Sequence, residues 1–234
     1  MSLLKIPLVL SSAIAVQVAI TPPHSSSDEE LYHDGQTLEI FIERILVDIQ
    51  GLYWAGAVAE VAAIIARRVD SSKMPSVLRM ISKYLSTLTD VPITPSFLVG
   101  CGLVTSGAFI RWLCYRTLGR HFTFLLSIRQ DHQLITTGPY AIVRHPSYTG
   151  MMMMCLGIII LHGSPNSWLR TSGISARIPG VLPVVAGTSV VCTAVIFATL
   201  RRTKREDRMM HSAFGDEWEA WARKVKYRII PGVY

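Results

Sequence analysis

The chain is 234 residues long, half of them hydrophobic and only 17% charged, whereas a soluble domain of this size carries about a quarter charged residues. Its mean hydropathy of +0.37, with the apolar residues gathered into long runs, points to a bilayer as solvent. The net charge of +7 does not mark a nucleic-acid binder, because most basic residues flank apolar segments in the manner of membrane anchors.

The first apolar run covers residues 3–20, a length that suits a signal peptide or a membrane helix. A retained helix is expected, since the remainder is membrane-embedded. Residues 21–34 are polar and read as a loop. The second run, residues 45–66, carries Asp48 and Glu60. Acidic groups at that depth face protein rather than lipid, and interhelical pairing is their simplest role. Residues 71–95 form a mixed connection in which 77–88 have the pattern of an interfacial amphipathic helix. Residues 96–115 are the third run, where the spacing of Gly102 and Ser106 would allow close helix contact. A mostly polar connection leads to residues 149–161, only thirteen in number and short for a span that needs about 20. That run is expected to be completed by residues 164–168 and to form a hairpin with the last run, 181–200. Beyond residue 200 the chain is charged and soluble in character. Four cysteines (Cys101, Cys114, Cys155 and Cys192) stand singly in apolar stretches, so neither a metal site nor a disulfide framework is expected.

The fold class that follows is all-α: a polytopic membrane helix bundle of about five transmembrane helices with a C-terminal helical region outside the bilayer. Residues 1–115 form an N-terminal membrane region and residues 116–234 a second region that holds the chemistry. With five spans, the side that holds the C-terminus collects 15 of the basic residues and the opposite side 8, which predicts a cytosolic C-terminus.

Two segments carry the chemistry. The first runs His132-Gln133-Leu134-Ile135-Thr136-Thr137-Gly138-Pro139-Tyr140 and on into Arg144-His145-Pro146-Ser147-Tyr148-Thr149-Gly150. Gly138-Pro139 is a turn signal, and Pro146 biases His145 away from helical geometry. Backbone freed from regular structure at the membrane edge must be satisfied by protein or a ligand. On the residues alone this is either a polar ligand pocket or interfacial anchoring by Tyr and His. The second segment contains Arg202, Glu206, Asp207, Phe214-Gly215, Trp218, Trp221, Val225 and Ile230-Pro231. Arg202 and Glu206, four apart, share one face of a helix leaving the membrane. Trp218, Trp221, Ala222 and Val225 share another face, which suits a helix on the membrane surface or a lid over the pocket.

Together and in this order around a membrane hairpin, the two segments resemble the isoprenylcysteine carboxyl methyltransferase family over roughly residues 119–234. The Gly-Pro-Tyr and Arg-His-Pro-Ser-Tyr elements match closely. Asp207 stands where the family has a second Glu, and Trp218 and Trp221 stand where it has tyrosines. The resemblance implies S-adenosylmethionine as cofactor, held by His132, Gln133, Leu134, Ile135, Tyr140, His145, Pro146, Ser147, Tyr148 and Glu206. It places Arg202 beside the substrate carboxylate as the catalytic and substrate-binding arginine. It implies a prenylated protein or peptide as partner, methylated on its C-terminal prenylcysteine, and residence in the endoplasmic reticulum. A phospholipid N-methyltransferase, a membrane sterol reductase and a non-catalytic scaffold are the alternatives.

Overall fold

A computed structural model describes residues 3–21, 37–122 and 133–234. Among them all regular structure is helical: α1 (Lys5–Ile20), α2 (Thr37–Ala66), α3 (Ser76–Ser86), α4 (Pro95–Leu118), α5 (Pro146–Gly163), α6 (Trp168–Thr171), α7 (Ile174–Arg177), α8 (Val181–Phe214) and α9 (Asp216–Lys224). Among the described residues four helices are long and apolar enough to cross a membrane: Arg44–Ala66 within α2, α4, α5 with its continuation, and α8. The expected fifth, α1, is apolar but has 16 residues, about 24 Å at 1.5 Å per residue. It is nonetheless a core element, with Val9, Ala13, Val16, Ala19 and Ile20 buried in the main hydrophobic cluster.

Two expectations are corrected. The helix before the hairpin turn begins at Pro146, not at residue 149, and is 18 residues long. Proline at the first helical position has no N–H to leave unsatisfied, and its φ is already helical. The Pro146-Ser147-Tyr148 element is therefore the first turn of α5 rather than freed backbone. His145 is its non-helical N-cap (φ −125°, ψ 61°). The second correction concerns close packing. A Cβ on Gly102 would meet nothing within 4 Å, whereas one on Gly100 would lie 2.6 Å from the Leu161 side chain and 3.1 Å from Gly157 O. On Gly157 it would lie 2.8 Å from Gly100 O, and on Gly150 2.5 Å from Gly107 O. Gly100 and Gly107 of α4 thus face Gly157 and Gly150 of α5, a seven-residue spacing on each helix that brings the two backbones together along their length.

The remaining helices pack around this pair. Lys5 of α1 is 1% exposed and sits 2.7 Å from Glu60 of α2, also donating to Val91 O at 3.0 Å. Interhelical pairing is thus the role of Glu60, while Asp48 is exposed. Lys5 and Glu60, with Tyr53, His162 and Trp168, line a cavity of about 30 Å³ at this end of the bundle. At the other end, Arg111 of α4 donates to Ala19 O of α1 (2.8 Å) and to Ser147 Oγ of α5 (3.0 Å). On α3, Val77, Leu78, Met80, Ile81 and Tyr84 are all exposed, the pattern of a helix lying in a membrane interface. α8 has 34 residues. About 20 cross a bilayer, so its last turns project beyond it as one rigid rod.

Two stability predictions follow. Gly107→Val drives a branched side chain into the α5 backbone and costs about 1–3 kcal/mol, whereas Gly102→Ala is neutral or slightly stabilising; thermal unfolding in detergent micelles distinguishes the pair. Glu60→Ala leaves Lys5 buried without its counter-charge and costs about 3–5 kcal/mol, while the double substitution Lys5→Met/Glu60→Leu recovers most of that loss, measured by the same unfolding assay.

Candidate functional site

The site forms where the projecting part of α8 passes the first turn of α5. The chain enters through a turn at Gly138–Ala141, where Gly138 has φ +60°, a conformation glycine adopts without steric cost. This turn presents Tyr140, which is buried with Cys114, Tyr115 and Phe122. Three residues after the turn come Arg144 and His145, whose backbone N–H groups donate to Tyr227 O (2.9 Å) and Arg228 O (2.7 Å). Thr149 Oγ1 donates to Ile229 O at 2.7 Å. Residues 227–229 therefore run alongside the start of α5 and are stitched to it by the main chain.

His145 is 9% exposed, and both its ring nitrogens face carboxylates of α8. Nε2 is 2.8 Å from Asp207 Oδ1, and Nδ1 is 3.3 Å from Glu206 Oε2. Its ring stacks on Tyr148 with centroids 5.5 Å apart and planes 15° off parallel. Arg202, one turn before Glu206, places its guanidinium 5.9 Å from the centre of the same tyrosine ring. Asp207 is 5% exposed and is further held by Arg228 Nε at 2.8 Å and Arg144 Nη2 at 3.5 Å. Glu206 keeps 26% of its side chain open. Burial by itself disfavours the charged imidazole, but its hydrogen bonds to Asp207 and Glu206 and their negative charge outweigh it and raise His145 to about 8. The imidazole is accordingly a cation at neutral pH, donating from both nitrogens.

α9 packs beside this cluster. Gly215, with φ +49°, reverses the chain after α8, and its N–H caps the helix by donating to His211 O at 2.9 Å. In α9, Trp221 Nε1 donates to Tyr140 O at 3.2 Å, and the Arg144 guanidinium lies 5.6 Å from the Trp218 ring centre. The aromatic face of α9 is thus turned toward the site.

The structure brings together His145, Tyr148, Arg202 and Glu206. Pro146 and Ser147 are buried behind them, Ser147 engaged by Arg111, so they shape the site from below. Tyr140 reaches it through Trp221. Gln133, Leu134 and Ile135 lie on the irregular chain leading into the turn, Gln133 exposed. His132 lies outside the described residues. Arg111, Arg144, Asp207 and Arg228 were not singled out as site residues. Arg111 was detectable as a cation inside an apolar run, which signals a buried partner. Arg228 carries no such mark.

The arrangement suits a ligand with one cationic and one anionic end. Glu206 is an open carboxylate beside an aromatic face, the donor set for a cation, and Arg202 is a cation one helical turn away. Among the described residues no group of three or more His, Cys, Asp or Glu could hold a metal ion. The pH dependence of stability follows from His145. Its folded value of about 8 exceeds the ordinary histidine value of 6.5, so its contribution of about 2 kcal/mol is complete below pH 6.5 and fades as pH rises through 8. Thermal unfolding from neutral to alkaline pH should show this loss, and the His145→Gln variant should lack it.

Residues 95–176 match the family model described as phospholipid methyltransferase. A probable protein-S-isoprenylcysteine O-methyltransferase from Oryza sativa subsp. indica is 29% identical over 159 residues, covering 64% of this chain and 72% of that protein. Protein-S-isoprenylcysteine O-methyltransferase B of Arabidopsis thaliana is 37% identical over 70 residues, 29% of this chain and 36% of that protein. A Delta(14)-sterol reductase from Neurospora crassa is 28% identical over 130 residues, 49% of this chain but 26% of that much longer protein. The motifs and the helical membrane architecture agree with this similarity to protein-S-isoprenylcysteine O-methyltransferases.

Proposed function

We propose that the chain uses S-adenosylmethionine to methylate the C-terminal carboxylate of a prenylcysteine in a prenylated protein or peptide. The cofactor supplies a methyl group on a sulfonium. Everything else is supplied by side chains. Glu206, open beside Tyr148, receives the cationic end of the cofactor, with Tyr140 and residues 133–135 completing its cradle. Arg202 orients the substrate carboxylate, held by Tyr148 rather than buried against it, so that the nucleophile is aligned without being neutralised. The aromatic face of α9 excludes water, which strengthens every charge interaction inside. The prenyl chain arrives sideways from the bilayer between helices, and the polar cofactor arrives from the cytosol on the side that holds the C-terminus. Residence in the endoplasmic reticulum is part of this reading.

The single observation that favours a carboxylate over an amine substrate is the state of His145. A phospholipid amine must lose a proton before it accepts a methyl group, and His145 would be the base at hand. Both its ring nitrogens already point at carboxylates, at 2.8 and 3.3 Å, and it is raised to about 8, so it has no lone pair to offer. A carboxylate, with a reference pKa of about 3.5, is ionised already and asks for no base.

The test is methyl transfer from labelled S-adenosylmethionine to N-acetyl-S-farnesylcysteine in purified membranes. Base-labile label on the farnesyl compound is expected. Arg202→Ala should lower turnover about a hundredfold, and Glu206→Ala should weaken cofactor binding about tenfold or more. Stable label on phosphatidylethanolamine instead would move the chain to amine methylation, and oxidation of NADPH by a sterol would move it to the reductases. Normal cofactor affinity in the Glu206 variant would sink the site assignment.

A further inference from the structure

Glu206 and Asp207 are neighbours on α8, yet their surroundings differ. Glu206 keeps 26% of its side chain open and touches His145 through one oxygen. Asp207 is 5% exposed, and both its oxygens are engaged. Oδ1 takes His145 Nε2 at 2.8 Å, while Oδ2 takes Arg228 Nε at 2.8 Å and lies 3.5 Å from Arg144 Nη2. A carboxylate occupied on both sides and shut from solvent cannot receive a ligand. What it can do is fix the plane of the imidazole that stands between it and Glu206.

Arg228 determines how that carboxylate is turned. Its guanidinium joins two groups, donating from Nε to Asp207 and from Nη1 to the Tyr234 hydroxyl at 3.2 Å, and it lies 5.4 Å from the Tyr234 ring centre. Two strong donors in a rigid plane are a property of arginine that lysine lacks. The backbone around it is registered against the start of α5 by Arg144 N to Tyr227 O, His145 N to Arg228 O, and Thr149 Oγ1 to Ile229 O. The end of the chain is thereby tied to the same histidine through main chain and side chain at once.

We propose that Asp207 and Arg228 are positioning residues that lock the His145 ring, and through it the Glu206 carboxylate, in the orientation that receives the cofactor. The proposal rests on the reading of this cluster as the cofactor site. It makes the segment after α9 a working part of that site. The groups that face His145 are Glu206 and Asp207 from α8, Tyr148 from α5, Arg144 from its own segment and Arg228 from the C-terminal segment, with Arg202 over the far part of Tyr148. When His145 loses its proton, one ring nitrogen turns a lone pair on a carboxylate, and Glu206 loses the cation that fixes it, keeping only its hydrogen bond with Tyr148 and the charge of Arg202. Cofactor binding should therefore weaken on the alkaline side of His145, and Asp207 should govern where.

The experiment measures S-adenosylmethionine binding by calorimetry to the purified full-length protein in lipid nanodiscs, across neutral to alkaline pH. Asp207→Asn, nearly isosteric but uncharged, should weaken binding about tenfold near neutral pH and move the alkaline limb down by about one pH unit. Arg228→Gln should weaken binding to a similar degree, and Arg228→Lys should restore part of the loss. Thermal unfolding of each variant is measured alongside. Variants with lowered unfolding temperature but unchanged affinity and an unmoved limb would reduce both residues to structural support and overturn the proposal. If Asp207→Asn fails to fold, the Arg228→Lys and Arg228→Gln pair decides alone, since equal and wild-type affinities in both overturn it. A folded wild type that binds no S-adenosylmethionine removes the functional reading and this proposal together, whereas normal wild-type binding with unaffected variants removes this proposal alone.

Discussion

The close approach of α4 and α5 is the constraint on which the rest of the molecule depends. Lipid tails are as apolar as leucine, so in a bilayer two helices gain little from hiding apolar surface and associate instead through van der Waals packing and hydrogen bonds. Gly100 and Gly107 facing Gly157 and Gly150 let the two backbones come near enough for that packing to be dense. The same contact sets the position of the α5 N-terminus against the C-terminal turns of α4. Arg111 can then reach Ser147 on one side and Ala19 O on the other, which fastens α1 to the pair at the end where the site lies.

The second organising feature is a concentration of charge at the mouth of that bundle. Arg144, His145, Glu206, Asp207 and Arg228 lie within one connected set of contacts. Partly buried ions are costly unless each finds a partner, and here two carboxylates are shared among three cations. The bundle makes this arrangement possible because α8 continues as one helix from the membrane into the aqueous side. Arg202, Glu206 and Asp207 are carried on a rod whose root is fixed in lipid, and α9 folds back on it at Gly215.

Much of the candidate site is legible in the sequence. The Arg-His-Pro-Ser-Tyr element and the Arg202–Glu206 spacing identify residues that do meet, because one lies at a helix start and the other on a single helical face, and both patterns are local. The packing glycines were misassigned: Gly102 and Ser106 have the right spacing, but which face of α4 meets α5 is set by both helices together. Pro146 keeps His145 out of helical geometry as its sequence context implies, but that it also opens α5 shows only in the structure. Asp207 appeared merely as a variation on a family pattern, and Arg228 not at all, because its partner is 21 residues away and no spacing rule connects a helix to the segment that folds back on it.

By itself the sequence determined that this protein lives in a membrane, that it is helical, and which short segments come together as the candidate site. These are properties of hydropathy, of periodicity within one helix and of turn residues, and none depends on a distant partner. Only the tertiary structure decided that α1 is a core helix tied to α2 by a buried ion pair, that α4 and α5 meet on Gly100 and Gly107, and that His145 stands between two carboxylates as a cation. Each of these is a contact between residues far apart in the chain. The energy of such a contact comes from geometry that exists only after the helices have packed.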